Sequence, residues 1–344
     1  MTRQPLRFNR TAILAHARDE GPETLTSEAL EGALAPTLER LRLPTGLLGR
    51  MTGVLSRSLY PPDSPPSRGA LSASQKLFRR DPRLPSEIDL LYSTSVGRDF
   101  LEPSTASILS GQLGLSPQSS SLDLGSACLG FMDGMRLAAL HLESSLIDYA
   151  LVVAGENSRP ILENTLETLL APDLGRAEFF RNFATLTLGS GGAAALLGDA
   201  RHNPQAPRLK AQVSLADPQS SDLCRGDYRG METDSALLLQ RGVELARQTF
   251  ALGREAFGWT PAYFDLYVCH QVSEANTRKL AEILKLPWER IYKTYPLYGN
   301  MGPVAIPFAL DLAAEKGLIK PHSRLALMGI GSGLNCAIME VEIP

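Results

Sequence analysis

The chain has 344 residues, too many for one simple domain and suited to two domains or one duplicated fold. Hydrophobic residues make up 44% and charged residues 21%, an ordinary globular composition. A formal net charge of −3 offers no basic field for nucleic acid, and no run of about 18 apolar residues is available to span a membrane.

The N-terminal stretch MTRQPLRFNRTAILAH lacks the long apolar segment and the small-residue cleavage site of a signal peptide. Apolar runs then alternate with helical patterns, which predicts an α/β protein with buried strands. Strands are expected at 12–15, 88–94, 121–124, 149–154, 193–197, 209–215, 264–269, 325–330 and 337–341. Residues 24–42 read as one helix capped by Thr26 or Ser27. The Pro- and Ser-rich stretch 56–74 reads as a loop, and 202–207 as a linker between halves.

The halves echo each other. IDLLYSTSV at 88–96 parallels FDLYVCHQV at 264–272, and DYALVVAGENS at 148–158 parallels SRLALMGIGSG at 323–333. Asp89 precedes Asp148 by 59 residues, and Asp265 precedes Arg324 by 59. Equal separations predict one βαβ frame used twice, with halves 1–201 and 208–344. Two buried strands before turns also look alike without duplication.

Four cysteines (128, 224, 269, 336) form no C-x-x-C pair and no zinc spacing, which predicts a reduced, cytoplasmic protein without a metal site. Cys128 follows a short strand and the turn Gly125–Ser126–Ala127. Phe131, Met132, Met135, Ala139, Leu142 and Leu146 then fall on one helical face with it. At a helix N-terminus, free N–H groups and the macrodipole favour a thiolate nucleophile. The same segment also reads as an inert buried cysteine. His270 ends a strong strand, where histidines are often caps or surface residues. Asn300 lies in Tyr-Gly-Asn-Met-Gly, which is also simply a good turn. Together, in this order at related strand ends, the three read as a nucleophile with two donors for a thioester or enolate oxygen. The Gly-rich turn near Ser332 brings backbone close to a ligand or is a plain hairpin. In the first reading the N–H groups of Ser332 and Cys128 form an oxyanion hole.

SACLGF around Cys128, CHQVSEAN around His270, YGNMG around Asn300 and GIGSGLN near the end resemble the condensing enzymes of the thiolase superfamily. TSVGRDFLEPSTASILSG, DYALVVAGE, LCRGDYRGMETD and LMGIGSGLNC are similar to the OleA-type acyl-CoA condensing enzymes, relatives of ketoacyl-ACP synthase III. The resemblance implies the thiolase fold, two βαβαβ halves in five α-β-α-β-α layers, and a homodimer. It also implies that Glu102, in RDFLEPS, enters the partner's active site as a base; by itself Glu102 reads as a helix-start carboxylate. Asn300-Met301-Gly302-Pro303 departs from the Asn-Thr-Ser-type turn of ketoacyl-ACP synthase III, which speaks against a malonyl donor.

The expected activity is non-decarboxylative Claisen condensation of two fatty acyl-CoAs, opening long-chain hydrocarbon synthesis, with downstream enzymes of that synthesis as partners. Neither metal nor redox cofactor is expected; coenzyme A enters as the thioester substrate. The competing readings are an acyltransferase or thioesterase of the same fold, a ketoacyl-ACP synthase III-like enzyme, and a non-catalytic scaffold subunit.

Overall fold

The computed structural model describes residues 5–227 and 230–344. Tyr228 and Arg229, inside the LCRGDYRGMETD motif, lie outside the described residues. The first half runs β1 (Thr11–Glu20), α1 (Ser67–Arg80), β2 (Leu90–Ser93), α2 (Thr105–Leu113), β3 (Ser120–Asp123), α3 (Gly130–Glu143), β4 (Tyr149–Glu156) and β5 (Gly191–Asp199). The second runs β6 (Arg208–Ala216), α4 (Ser235–Phe257), β7 (Leu266–Cys269), α5 (Glu274–Leu284), α6 (Ala305–Glu315), β8 (Arg324–Gly331) and β9 (Asn335–Glu342). Each predicted strand is present, most of them a residue or more longer or shorter at an end.

The strand order is β3-β2-β4-β5-β1 in the first half and β7-β8-β9-β6 in the second. Where the first half has β3, the second has a single parallel bridge from Tyr267 to Ile291. Both halves therefore follow one plan, third-second-fourth-fifth-first, with the central crossovers parallel and the last two strands antiparallel. Ala12 pairs with Arg208 where the two sheets meet edge to edge, and the short strand Leu6–Arg7 also pairs with β6, Leu6 with Gln212 and Arg7 with Ala211.

The matched 59-residue separations have a physical cause. Asp89 Oδ2 accepts the N–H groups of Asp148 and Tyr149 at 2.8 and 2.9 Å. Asp265 Oδ2 accepts the N–H of Arg324 at 2.9 Å. In both halves the carboxylate closes the same pair of parallel strands.

Three apolar layers make five layers of structure. α3 and α6 lie between the sheets, where Met132, Met135, Phe308 and Leu312 pack with Val152 and Leu327. Outside the first sheet, α1 and α2 bury Ala70, Leu77 and Leu109 against Leu151 and Leu196. Outside the second, Leu245, Phe250 and Ala281 of α4 and α5 meet Tyr267 and Ile338. Strands covered on both faces read as near-continuous apolar runs, which is why they were legible.

Three expectations need correction. Residues 24–42 are not one helix: a strand, Glu23–Thr26, leads into helices Ser27–Ala33 and Ala35–Arg40. Pro36 has no N–H to donate and is tolerated only in a first turn, so the helix restarts there. Thr26 is the cap, its Oγ1 accepting from Ala29 N–H at 3.1 Å. Residues 56–74 are not all loop; strand Ser56–Leu59 opens the stretch and α1 begins at Ser67. Leu146 lies beyond α3 and is 71% exposed, so it leaves the buried face of Phe131, Met132, Met135, Ala139 and Leu142.

Tight packing makes one glycine of α4 indispensable. A Cβ on Gly253 would stand 2.1 Å from the Trp259 ring, which is fully buried. Gly253→Ala is expected to cost about 1–3 kcal/mol despite alanine's better helix propensity. Urea unfolding checks this; an unchanged midpoint would show that the Trp259 pocket yields freely.

Candidate active site

Cys128 sits in a short 3-10 turn, Ala127–Leu129, directly ahead of α3. The turn is sharp: Ala127 has φ +44°, a conformation that costs an L-residue roughly 1 kcal/mol. Ser126 Oγ donates to Asp133 Oδ2 at 2.6 Å and ties the turn to the first turn of α3. His270 follows β7, its N–H donating to Met328 O at 2.8 Å. Asn300 is clamped by backbone. Its N–H donates to Thr187 O at 2.8 Å and its carbonyl accepts from Gly189 N–H at 2.9 Å. The preceding Gly299 has φ +65°, and a Cβ there would be 2.3 Å from Thr187 O, so only glycine fits.

The side chains then interlock. Asn300 Oδ1 accepts from Gly302 N–H at 3.0 Å, which orients the amide with its NH2 facing away from that turn. His270 Nε2 lies 3.1 Å from the same oxygen. An amide oxygen only accepts, so Nε2 carries the proton and donates to Asn300. Burial pushes the imidazole down to about 4, opposed by the bond to Asn300, so His270 is neutral at pH 7. Cys128, His270, Asn300 and Ser332 all line one cavity of about 370 Å³. Its other walls are mainly apolar, from Met51, Phe183, Met231, Leu238, Leu280 and Ile330 among others. Neutral donors and a thiol at the head of an apolar cavity suit acyl transfer from a long-chain thioester.

The family model for the C-terminal part of 3-oxoacyl-[acyl-carrier-protein] synthase III matches residues 255–343, which include His270, Asn300 and Ser332. An acyl-CoA:acyl-CoA alkyltransferase of Xanthomonas campestris is 40% identical over 97% of this chain and 99% of its own. One from Shewanella oneidensis is 33% identical over 98% and 100%. The chain belongs to the acyl-CoA:acyl-CoA alkyltransferase (OleA) family. It is thus a thiolase-fold acyltransferase of the Claisen-condensing group. A β-ketoacyl-[acyl-carrier-protein] synthase III of Natranaerobius thermophilus is more distant, at 25% over 94% and 96%. Cerulenin-bound X. campestris OleA superposes with a TM-score of 0.96 at 39% identity, covering 98% of each chain. A cysteine-to-serine form of that enzyme, with bound lauric acid and lauroyl-CoA, superposes at 0.95 over 97% of this chain and 99% of its own.

Relative to other OleA-family expectations, Glu102 stands apart. It is exposed, in the bend between β2 and α2, and does not line the cavity. The expected thiolate is also corrected. Burial pushes the Cys128 thiol up to about 12, with Cys224 and Glu156 adding like-charge repulsion and its own backbone N–H opposing. The helix start shapes the elbow, and desolvation outweighs it in charge.

Sequence reasoning missed that Cys224, Cys269 and Cys336 line the cavity with Cys128, and it missed Glu156, whose charge acts on Cys128. Glu156 ends β4 after seven apolar or small residues; a carboxylate at the carboxyl end of a buried strand was the available signal. Its Oε1 accepts from Val96 N–H at 2.5 Å and its Oε2 from Gly97 N–H at 3.2 Å. Burial raises its carboxyl to about 7, opposed by those two bonds. The segment they hold leads on to Glu102.

Two measurements follow from these charge states. Iodoacetamide alkylation of Cys128, mapped by mass spectrometry, is expected to be slow at pH 7 and to climb steadily past pH 9. Fast, pH-independent alkylation between pH 6 and 8 would instead reveal a resting thiolate. For Glu156, an unfolded carboxyl ionises near 4.3, about 2–3 units lower than in the fold. Between those values the folded state keeps a proton the unfolded state has lost, so stability declines as pH rises and levels off above about 7. Gln cannot ionise, so the Tm of Glu156→Gln relative to wild type is expected to rise from pH 5 to pH 8. A constant difference sinks the assignment.

Proposed function

We propose that this chain condenses two fatty acyl-CoAs without decarboxylation, giving a 2-alkyl-3-ketoacyl-CoA or the β-keto acid derived from it. The observation that carries the reading is the neutral His270–Asn300 pair, 3.1 Å apart, sharing an apolar cavity with the Cys128 thiol. The printed activity of the X. campestris and S. oneidensis relatives supports it.

Cys128 sulfur attacks the first thioester carbonyl. The C–S bond to the enzyme forms, the bond to coenzyme A breaks, and the thiol proton leaves with coenzyme A. N–H groups of Cys128 and Ser332 receive the oxyanion. A second acyl-CoA then loses an α-proton to Glu102 of the partner subunit. The Asn300 NH2 holds its thioester oxygen as an enolate, His270 fixes that amide by donating from Nε2 to the Asn300 oxygen, and the α-carbon attacks the acyl-Cys128 carbonyl. Cys128 leaves as a thiolate and takes up the proton that Glu102 removed, which restores both groups. Every change is a proton or acyl transfer, so no electron carrier or metal enters the balance.

A homodimer accounts for the position of Glu102. β3 is a sheet-edge strand whose Leu122 is 52% exposed, and in the segment before α2 Phe100 is 61% and Leu101 82% exposed. An open edge flanked by apolar side chains is a pairing surface. Solved X. campestris OleA structures include separate replacements of one glutamate, one cysteine and one histidine, spaced 26 and 142 residues apart. Glu102, Cys128 and His270 have the same two intervals. Residues 1–201 are read as the nucleophile-bearing half and 208–344 as the half with His270 and Asn300. No helix among the described residues is long and apolar enough to cross a membrane, and a cytoplasmic location with hydrocarbon-synthesis enzymes downstream completes the reading.

Incubation with one long-chain acyl-CoA and no malonyl donor, followed by protein and product mass, tests the proposal. Acylation at Cys128 and a product carrying two chains are expected. Cys128→Ala should form neither, and Glu102→Gln should be acylated yet slowed in condensation by about 100-fold or more. Acylation followed only by free fatty acid favours a thioesterase.

A further inference from the structure

α4 forms one wall of the cavity, presenting Leu238, Leu239, Gly242, Val243 and Ala246 to it. Glycine inside a helix costs about 1 kcal/mol relative to alanine, so each of the two glycines of α4 needs a reason. Gly253 has one in the Trp259 ring. Gly242 has none in packing: a Cβ there would meet only the Ile330 side chain, at 3.5 and 3.8 Å, which is ordinary contact. It is buried, yet what adjoins it is cavity.

Its depth can be read from the register. Trp259, just past the C-terminus of α4, donates to Glu340 Oε2 at 2.9 Å, and Glu340 pairs with Ala326 near the start of β8. α4 therefore runs antiparallel to β8. The far end of β8 is the reaction end, where Gly331 and Ser332 line the cavity with Cys128. Gly242 faces Ile330, next to that end. One turn further along α4 and two residues back along β8, Ala246 and Met328 line the cavity at a deeper level. The missing side chain leaves open the passage between the two levels.

We propose that Gly242 determines how long an acyl chain this arm of the cavity admits. The inference rests on the acyl-CoA reading above. A leucine at 242 would stand across from Ile330 and close the way to Met328 and Ala246; an alanine would narrow it.

The test compares wild type, Gly242→Leu and Gly242→Ala with octanoyl-, dodecanoyl- and hexadecanoyl-CoA, following Cys128 acylation and condensed product. The ratio of kcat/KM for octanoyl-CoA to that for hexadecanoyl-CoA is expected to rise at least about tenfold in Gly242→Leu, and less in Gly242→Ala. Gly242→Ala should also melt higher than wild type, since alanine favours the helix and meets no clash. If Gly242→Leu does not fold, the alanine variant carries the comparison. An unchanged chain-length profile, or an equal loss at every length, overturns the proposal while leaving the condensation reading intact. A wild-type protein that takes no acyl-CoA of any length overturns the reading itself.

Discussion

The backbone clasp on Asn300 is the constraint on which the site depends. Thr187 and Gly189, from the first half, bind the N–H and C=O of Asn300, from the second, and Gly299 must adopt φ +65° for the strands to come that close. With its main chain held from both sides, Asn300 has one place for its side-chain oxygen, between Gly302 N–H and His270 Nε2. That oxygen then selects the histidine tautomer. A chain of few hydrogen bonds, crossing between halves, thus decides which atoms face the substrate. Donors fixed in this way need little reorganisation when charge develops on a thioester oxygen.

Desolvation is the second constraint, and it acts on His270, Cys128 and Glu156 in one direction. It lowers His270, raises Cys128 and raises Glu156, each towards its neutral form. The result is an uncharged reaction centre that admits apolar chains at little cost and strengthens its hydrogen bonds. The same burial means that the nucleophile is not stored as a thiolate. In the proposed reaction its proton leaves in the course of attack, when the thioester carbonyl and the oxyanion donors are in place. A carboxylate base on the same subunit's cavity wall would suffer the same penalty. Glu102, by contrast, stands in an exposed segment outside the cavity. Glu156 connects these regions, since its carboxyl holds the N–H groups at the root of the Glu102 segment.

Shape follows from the duplicated frame. Two corresponding strand orders, joined edge to edge, set the ends of matching strands near one another, and Cys128 and the His270–Asn300 pair come from opposite halves. The acyl cavity then extends between the second sheet and α4, an arm whose width depends on side-chain size at single positions along the helix.

Much of this was legible in the residues. Strands buried on both faces are continuous apolar runs, so the β-framework could be read locally. The 59-residue repeat of an aspartate and its strand partner exposed the duplication, because one carboxylate closing one strand pair needs a fixed loop length. Cys128, His270 and Asn300 stood out by sequence motif. Local reasoning failed where a single residue overrode a pattern, as Pro36 does in 24–42. It also failed wherever the answer depended on what lies across space. The charge of Cys128 was set by surrounding atoms rather than by its own helix start. Glu156 became a site residue through N–H groups 60 and 59 residues away. Gly242 and Gly253, identical letters in one helix, differ only in what stands opposite: an open cavity for one and the Trp259 ring for the other. Sequence alone therefore determined the repeated frame and singled out the proposed reacting groups, because both are written in local spacing. Tertiary structure decided their protonation, their orientation and the room left for substrate, because burial and contact are properties of neighbours distant in the chain.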